Sequence, residues 1–336
     1  MSNSLIESVL ARTDTLLEKL FHRQDKKKSI SFRTYLTGPG KILLIPGKSL
    51  SDLVFSFDFI TATAERFPGA EVYVLVDARY ACLMDNIPRV RCIEFENRKL
   101  HLYDGSLRKI TLVLQHEEFD WAVNLSSGTS RSEGLITSSS GAKIHTGLPI
   151  PNAERYYNLI INPPRGNYGF RESLNHLFRA LQIEKMPGSR QAGVLFTEQE
   201  LKRGAGYVSM RKGRRKKHAL AAFAPAWQED EKALVRNLHE FYVQLSGSLD
   251  SSRMLVTANL APDDQIADWE NSAGLTHRFA SLRNAIVAMA CCNRVITNSV
   301  GLACLLVPFE VPVGLIPTDE TEVARLNEDE LKRIQV

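Results

Sequence analysis

Residues 41–66 read KILLIPGKSLSDLVFSFDFITATAER, and this stretch decides the fold class. An apolar run over 42–45 meets Pro46-Gly47, and Leu53, Val54, Phe57 and Ile60 then recur at helical spacing. The spacing predicts a buried parallel strand, a tight turn and a crossover helix. In open α/β sheets such a turn lies at the carboxyl end of a strand, where ligands bind. One carboxylate, Asp52, stands at or near the start of the helix. It is either a partner of the positive helix terminus or a general base facing a cleft. Gly47-Lys48-Ser49 invites a phosphate-loop reading, but that motif needs an earlier glycine where this chain has Ile42, inside the strand.

Outward from this stretch, strand and helix signals alternate. Strands are expected over 71–76, 90–95, 121–125 and 143–146, with helices over 107–117, 131–139 and 173–182. The second half starts again, with strands over 219–224, 254–258, 294–297 and 311–315. Its helices are expected over 229–245, 263–273, 301–306 and 327–334, and one capped by Ser281 runs to about Cys291. Strands separated by helix-length segments argue for βαβ units and a parallel sheet in each half.

The chain has 336 residues, more than one ordinary core accommodates, so two domains are expected. At 44% hydrophobic and 24% charged the composition is that of a globular protein. The net charge of +4 is mild and far below the footprint of a dedicated nucleic-acid binder. The five cysteines, Cys82, Cys92, Cys291, Cys292 and Cys304, form no CxxC and no zinc-like spacing with histidine. No metal site is expected, and a reduced, cytoplasmic setting fits. There is no signal-peptide pattern, and no apolar run approaches the roughly 20 residues of a membrane span.

Residues 4–21 carry Ile6, Val9, Leu10, Leu16, Leu17, Leu20 and Phe21 at helical spacing, and three lysines follow at 26–28. This is a helix packed on the body of the protein or an amphipathic arm touching an anionic inner leaflet. Residues 199–217 hold three glycines and the run RKGRRKK at 211–217. They read as a solvated interdomain connection. No aromatic ladder accompanies the run, which argues against nucleic acid; attraction of an anionic glycolipid substrate is the other reading. The expected organisation is therefore 1–40 as an amphipathic helix and basic linker, 41–190 as a first Rossmann-like domain, 191–217 as a linker, and 218–336 as a second Rossmann-like domain.

A second strand-turn-helix unit lies at 296–306, ITNSVGLACLL. Asn298-Ser299 makes the turn, Gly301 permits close backbone approach, and free N–H groups at a helix start bind phosphate oxygens; an ordinary capped helix is the plainer reading. With this unit the chain resembles glycosyltransferase family 9, the ADP-heptose:lipopolysaccharide heptosyltransferases, from about Lys41 to Leu315. The residues that carry the resemblance are Leu50 and Asp52 in the first loop, the phrases FPGAEV at 67–72, FDWAVNL at 119–125 and SGAKIHTG at 140–147, and Thr297, Asn298, Gly301 and Leu305 in the last loop. The family's Asp and His in that loop are Ser299 and Cys304 here, and its Ser is Val300.

The resemblance implies the GT-B architecture, two Rossmann-like domains facing across a cleft, and an inverting transfer of a heptose or related sugar to a lipopolysaccharide-core or other surface-glycan acceptor. It implies Asp52 as catalytic base, with Lys48 and Ser49 toward the acceptor. Lys232, Asn298, Ser299, Val300 and Gly301 would hold the donor, an ADP-sugar acting as substrate and not as cofactor. The implied partners are that nucleotide-sugar and a glycolipid or oligosaccharide, with peripheral contact at the cytoplasmic face of the inner membrane and no nucleic acid. The altered last loop leaves two further readings: a reshaped donor site for another sugar, or a catalytically silent GT-B binding or scaffold protein.

Overall fold

The computed structural model describes residues 38–96, 106–126, 131–163, 170–183, 196–212, 220–224, 253–257, 276–316, 323–324, 326 and 328–335. The expected helices at 4–21, 229–245 and 263–273, and residues 213–217 of the basic run, lie outside the described residues.

The first half forms β1 (Lys41–Ile45), α1 (Leu50–Arg66), β2 (Glu71–Asp77), β3 (Val90–Phe95), α2 (Ser106–His116), β4 (Trp121–Asn124), α3 (Arg131–Ser139), β5 (Ile144–Gly147), β6 (Leu159–Ile160) and α4 (Phe170–Ala180). Its six strands pair in parallel in the order β3-β2-β1-β4-β5-β6. A helix, α5 (Glu198–Lys212), follows. The second half forms β7 (Leu220–Ala224), β8 (Arg253–Thr257), β9 (Thr276–His277), α6 (Leu282–Ala290), β10 (Arg294–Thr297), α7 (Val300–Leu306), β11 (Val313–Leu315), α8 (Glu328–Arg333) and β12 (Ile334–Gln335). Its sheet runs β12-β11-β10-β7-β8-β9, also parallel. Counted from its own first strand, this is the same doubly wound order as the first sheet.

The apolar run of β1 is continuous because both faces of the strand are covered. Ile42 and Leu44 face one layer with Val72, Val74, Trp121 and helices α1 and α4. Leu43 and Ile45 face the other with Tyr73, Leu75, Phe119 and helices α2 and α3. Helix α1 is buried along almost its whole length, so it carries apolar residues on nearly every side. Its partners include α4, through Phe59 on Phe178 at 4.6 Å between ring centres, and α7 of the second half. One apolar cluster runs from β1 through α1 and α7 to Val295 and Val313 of the second sheet.

Three short strands, β6, β9 and β12, were not expected; two residues carry no readable periodicity. Because of β12, the strand expected to close the chain is followed by another. Residues 198–212, expected within a solvated connection, form a regular helix that packs on α6. Gly204 lies in the contact: a Cβ there would stand 2.7 Å from the carbonyl oxygen of Val287. The glycine is a close-packing residue of a helix rather than a loop signal.

Candidate functional site where two helix starts meet

In a doubly wound sheet the strand order reverses at one point, and the crevice outside the carboxyl ends of the strands there is the ligand-binding position. In the first sheet that point lies between β1 and β4. The turn after β1 carries Gly47 at φ 119°, a value that favours glycine. A Cβ at Gly47 would stand 2.8 Å from Oδ2 of Asp52, so space adds to the demand for glycine.

Ser49 is the N-cap of α1 and Asp52 its third residue, and the two form a reciprocal capping box. The Asp52 amide donates to Ser49 Oγ at 3.0 Å. The Ser49 hydroxyl and amide both donate to Asp52 Oδ2, at 2.8 and 3.4 Å. Asp52 is 8% exposed. The carboxylate thus sits in the turn, serving the positive helix terminus in the first of the two ways its position allows.

Around this turn lies a polar cluster. Lys48 Nζ donates to Ser132 Oγ at 2.6 Å, and that hydroxyl donates to Glu133 Oε2 at 3.0 Å. At the end of β4, Asn124 Nδ2 donates to the Tyr157 hydroxyl at 2.6 Å, and Asn124 Oδ1 accepts from the Ser126 amide at 2.9 Å. Glu133, Asn124 and Ser126 are all buried. Burial pushes the Tyr157 phenol well above its ordinary value; the Asn124 hydrogen bond opposes the shift and the Glu133 charge adds to it. Among the described residues, the Ser126 hydroxyl oxygen has no hydrogen-bond partner.

The second loop repeats the local logic. Ser299 caps α7, its Oγ accepting from the Leu302 amide at 3.2 Å. The Ser299 amide donates to Thr297 Oγ1 at 3.1 Å, and Thr297 Oγ1 donates to the Ala224 carbonyl at 2.7 Å, tying the turn to β7. Asn298, Val300 and Gly301 are buried. Cys304, where the resembling family has histidine, is fully buried on α7.

These two turns meet. A Cβ at Gly301 would lie 2.7 Å from the Ser51 nitrogen and 2.9 Å from the Leu50 carbonyl carbon, so backbone packs on backbone. The first turn of α7 therefore rests on the first turn of α1, which Ser49 and Asp52 cap. Lys48 lies in the turn before α1 and is engaged with α3. Lys232 lies outside the described residues.

Sequence reasoning did not single out Asn124, Ser126, Ser132, Glu133 or Tyr157. One signal was present for Asn124, a polar residue ending the apolar strand WAVN at the strand's carboxyl end. For Glu133 there was none, because its link to Lys48 spans distant sequence positions.

A second polar junction joins the halves away from these turns. Arg283 of α6 is buried; its Nε donates to Glu200 Oε1 at 2.6 Å and its Nη2 to Glu200 Oε2 at 3.1 Å. Its Nη1 donates to the Cys82 carbonyl of the first half at 3.3 Å. The Arg283 hydrogen bonds hold the Glu200 carboxyl down at about 2. The guanidinium also lies 4.8 Å from the centre of the Phe196 ring. Among the described residues, no group of three or more His, Cys, Asp or Glu side chains could hold a metal ion. Among them, too, no helix is long and apolar enough to cross a membrane.

No protein-family model and no curated protein matches this chain. Solved structures do. A family 9 glycosyltransferase from Veillonella parvula is 14% identical, with a TM-score of 0.58 over 83% of this chain and 80% of its own. ADP-heptose lipopolysaccharide heptosyltransferase II of E. coli is 18% identical, with a TM-score of 0.58 over 88% and 89%. A UDP-GlcNAc 2-epimerase from Neisseria meningitidis, bound to UDP-GlcNAc, is 10% identical, with a TM-score of 0.53 over 88% and 87%. The chain is similar in structure to family 9 glycosyltransferases and has the GT-B architecture, two Rossmann-like lobes built on the same strand order.

Proposed function

We propose that this chain is an inverting glycosyltransferase that moves a heptose or related sugar from an ADP-sugar to a lipopolysaccharide-core or other surface-glycan acceptor. The observation that carries the reading is the meeting of the two strand-turn-helix units at the carboxyl ends of β1 and β10. The likeness to heptosyltransferase II over 88% of the chain supports it. In this reading the first lobe presents the acceptor, with Lys48 and Ser49 beside it, and the second holds the donor at Asn298, Ser299, Val300 and Gly301.

Asp52 takes the proton of an acceptor hydroxyl while that oxygen attacks the anomeric carbon. The bond from that carbon to the diphosphate oxygen breaks, and the electron pair leaves with the nucleoside diphosphate. Ser49, donating twice to Asp52 Oδ2, orients the carboxylate. Amide groups at the start of α7 and the Lys232 ammonium balance the charge that develops on the leaving group. Gly301 rests on Ser51, so this reading requires the two helix starts to separate before substrates enter between them. The acceptor is anchored in lipid, so the enzyme works in peripheral contact with the cytoplasmic face of the inner membrane.

The test is transfer from ADP- and UDP-sugars to lipid A-core fragments, with wild type and Asp52→Asn side by side. We expect transfer by wild type and a loss of roughly 10²–10⁴-fold in the variant, the usual worth of a general base. Equal turnover by both would remove Asp52 from the role.

One set of observations favours a second reading, a GT-B body kept for binding or scaffolding. Asp52 is engaged in its own helix cap, Gly301 packs directly on Ser51, and Ser299 and Cys304 replace the family's acid and histidine. Calorimetry with ADP- and UDP-sugars separates the two: absence of binding at millimolar concentration selects the silent protein.

A further inference from the structure

We propose that the outer face of α2 is a docking surface for an anionic lipid bilayer. The proposal rests on the reading of a lipid-anchored acceptor and names the surface that would bring the first lobe to it.

Four large apolar side chains are exposed among the described residues, and two of them, Leu112 at 57% and Val113 at 50%, are neighbours on α2. Arg108, Lys109, Gln115 and His116 are the other exposed side chains of this helix between Leu107 and His116. At helical spacing all six fall on one continuous arc, opposite Leu107, Ile110 and Leu114, which face the core. The arc carries two aliphatic residues, Arg108, Lys109, His116 and one amide, Gln115, whose Nε2 donates to the Ser139 carbonyl at 3.0 Å, and no carboxylate. Glu117 and Glu118 follow the helix, and Glu117 is engaged by Lys41 at 3.0 Å.

A helix that only faces water would be composed differently in two respects. Its exposed face would not carry two adjacent large aliphatics. Its first turn would carry acids, whereas this one holds Arg108 and Lys109 and no acid, against the positive helix terminus. Departures of this kind from local rules concentrate at functional surfaces. A bilayer with anionic headgroups satisfies both: the aliphatics enter the headgroup boundary, and the long cationic stems lie along it with their charges on the phosphates.

Placement agrees with use. Helix α2 follows β3 and returns along the sheet, so its first turn lies at the carboxyl edge of the strands. That is the edge on which the turn after β1 carries Lys48 and Ser49. A bilayer on this face would pass beside the proposed acceptor position.

The experiment is flotation of the full chain with vesicles of phosphatidylcholine alone and of phosphatidylcholine mixed with phosphatidylglycerol. Three double variants accompany wild type: Arg108→Glu with Lys109→Glu, Leu112→Ser with Val113→Ser, and Lys202→Glu with Arg203→Glu on exposed α5 as a charge-matched control. Wild type should partition onto the anionic vesicles only. The first variant should lose roughly 10- to 30-fold or more in partition, as expected for two cations near a charged surface. The second should lose several-fold, and the control should stay within about twofold of wild type. Thermal unfolding confirms that each variant folds; the two α2 variants are independent, so one misfolded protein leaves the other to decide.

No partition by wild type, unchanged partition of the folded α2 variants, or an equal loss in the control overturns the proposal. So does self-association in sedimentation that the α2 variants abolish, which would make this face a contact between copies. The assay contains neither donor nor acceptor, so its failure is distinct from failure of sugar transfer.

Discussion

Gly301 of α7 and Ser51 of α1 touch through their backbones: the position of a Cβ on Gly301 lies 2.7 Å from the Ser51 nitrogen. Real side chains do not approach that closely, so any larger residue separates the two helix starts. Gly301→Ala should lower stability by about 1–3 kcal/mol, the usual cost of overpacking. Gly206, on the exposed side of α5 with nothing within 4 Å of its Cβ position, is the control. Gly206→Ala should be neutral or stabilising by up to about 1 kcal/mol, because alanine is the better helix former. Parallel thermal and urea unfolding of both variants reads the difference, and equal effects would mean that the junction yields without cost.

The capping box separates the structural and catalytic parts of Asp52. Ser49→Ala removes the hydroxyl that donates to Asp52 Oδ2 and accepts from its amide, and should cost about 1 kcal/mol of stability. Asp52→Asn keeps a side-chain oxygen for the Ser49 donors and should cost less in stability than Ser49→Ala. If Asp52 is the base, its sugar transfer falls by orders of magnitude at the same time. Urea unfolding beside a transfer assay gives the ratio. A large stability loss with unchanged transfer would assign Asp52 to the cap alone.

Gly47 tests the same turn from the other side. At φ 119° an alanine is strained, and its Cβ would press on Asp52. Gly47→Ala should cost about 1–3 kcal/mol, more than Gly69→Ala, which meets nothing within 4 Å. The comparison needs only melting midpoints.

The legible parts of this fold are those written in contiguous sequence. The run at 42–45 announces a buried strand, and the apolar spacing from Leu53 to Ile60 announces the helix that starts near Asp52. The same holds for Ser281 and for the turn at Asn298-Ser299, both of which cap the helices expected of them. What escaped was non-local. Gly204 and Gly206 weaken a helical reading of 198–212, and nothing nearby in sequence reveals that Gly204 exists to admit Val287. The contacts of Lys48 with Ser132, and of Asn124 with Tyr157, arise only when the sheet order brings distant turns together. Asp52 was legible as a residue at a helix start, but not its engagement with both donors of Ser49. The polarity of a position is written locally, whereas its partners are set by topology.

The Arg283–Glu200 pair predicts an acid-sensitive junction. Glu200 is held at about 2, below its ordinary 4.5, first by the Arg283 hydrogen bonds and further by the Thr197 amide and hydroxyl. A carboxyl whose folded value is depressed binds fewer protons in the folded than in the unfolded chain. Its contribution is therefore fully present above about pH 4.5 and is lost as the pH falls toward 2. The size is at most about 3 kcal/mol from the shift. Water around the partly exposed Glu200 reduces it. Arg283→Met removes the charge that Glu200 answers while keeping much of the packed stem. It should lower stability at neutral pH by about 1–3 kcal/mol. It should also flatten the fall in melting temperature between about pH 5 and pH 3, because Glu200 then titrates near its unfolded value. The guanidinium also reaches the Cys82 carbonyl, so its loss loosens the first lobe from α6. Hydrogen exchange at residues 81–84 should then quicken in the variant. A variant whose melting curve keeps the wild-type slope with pH would show that Glu200 owes its acidity to Thr197 rather than to Arg283.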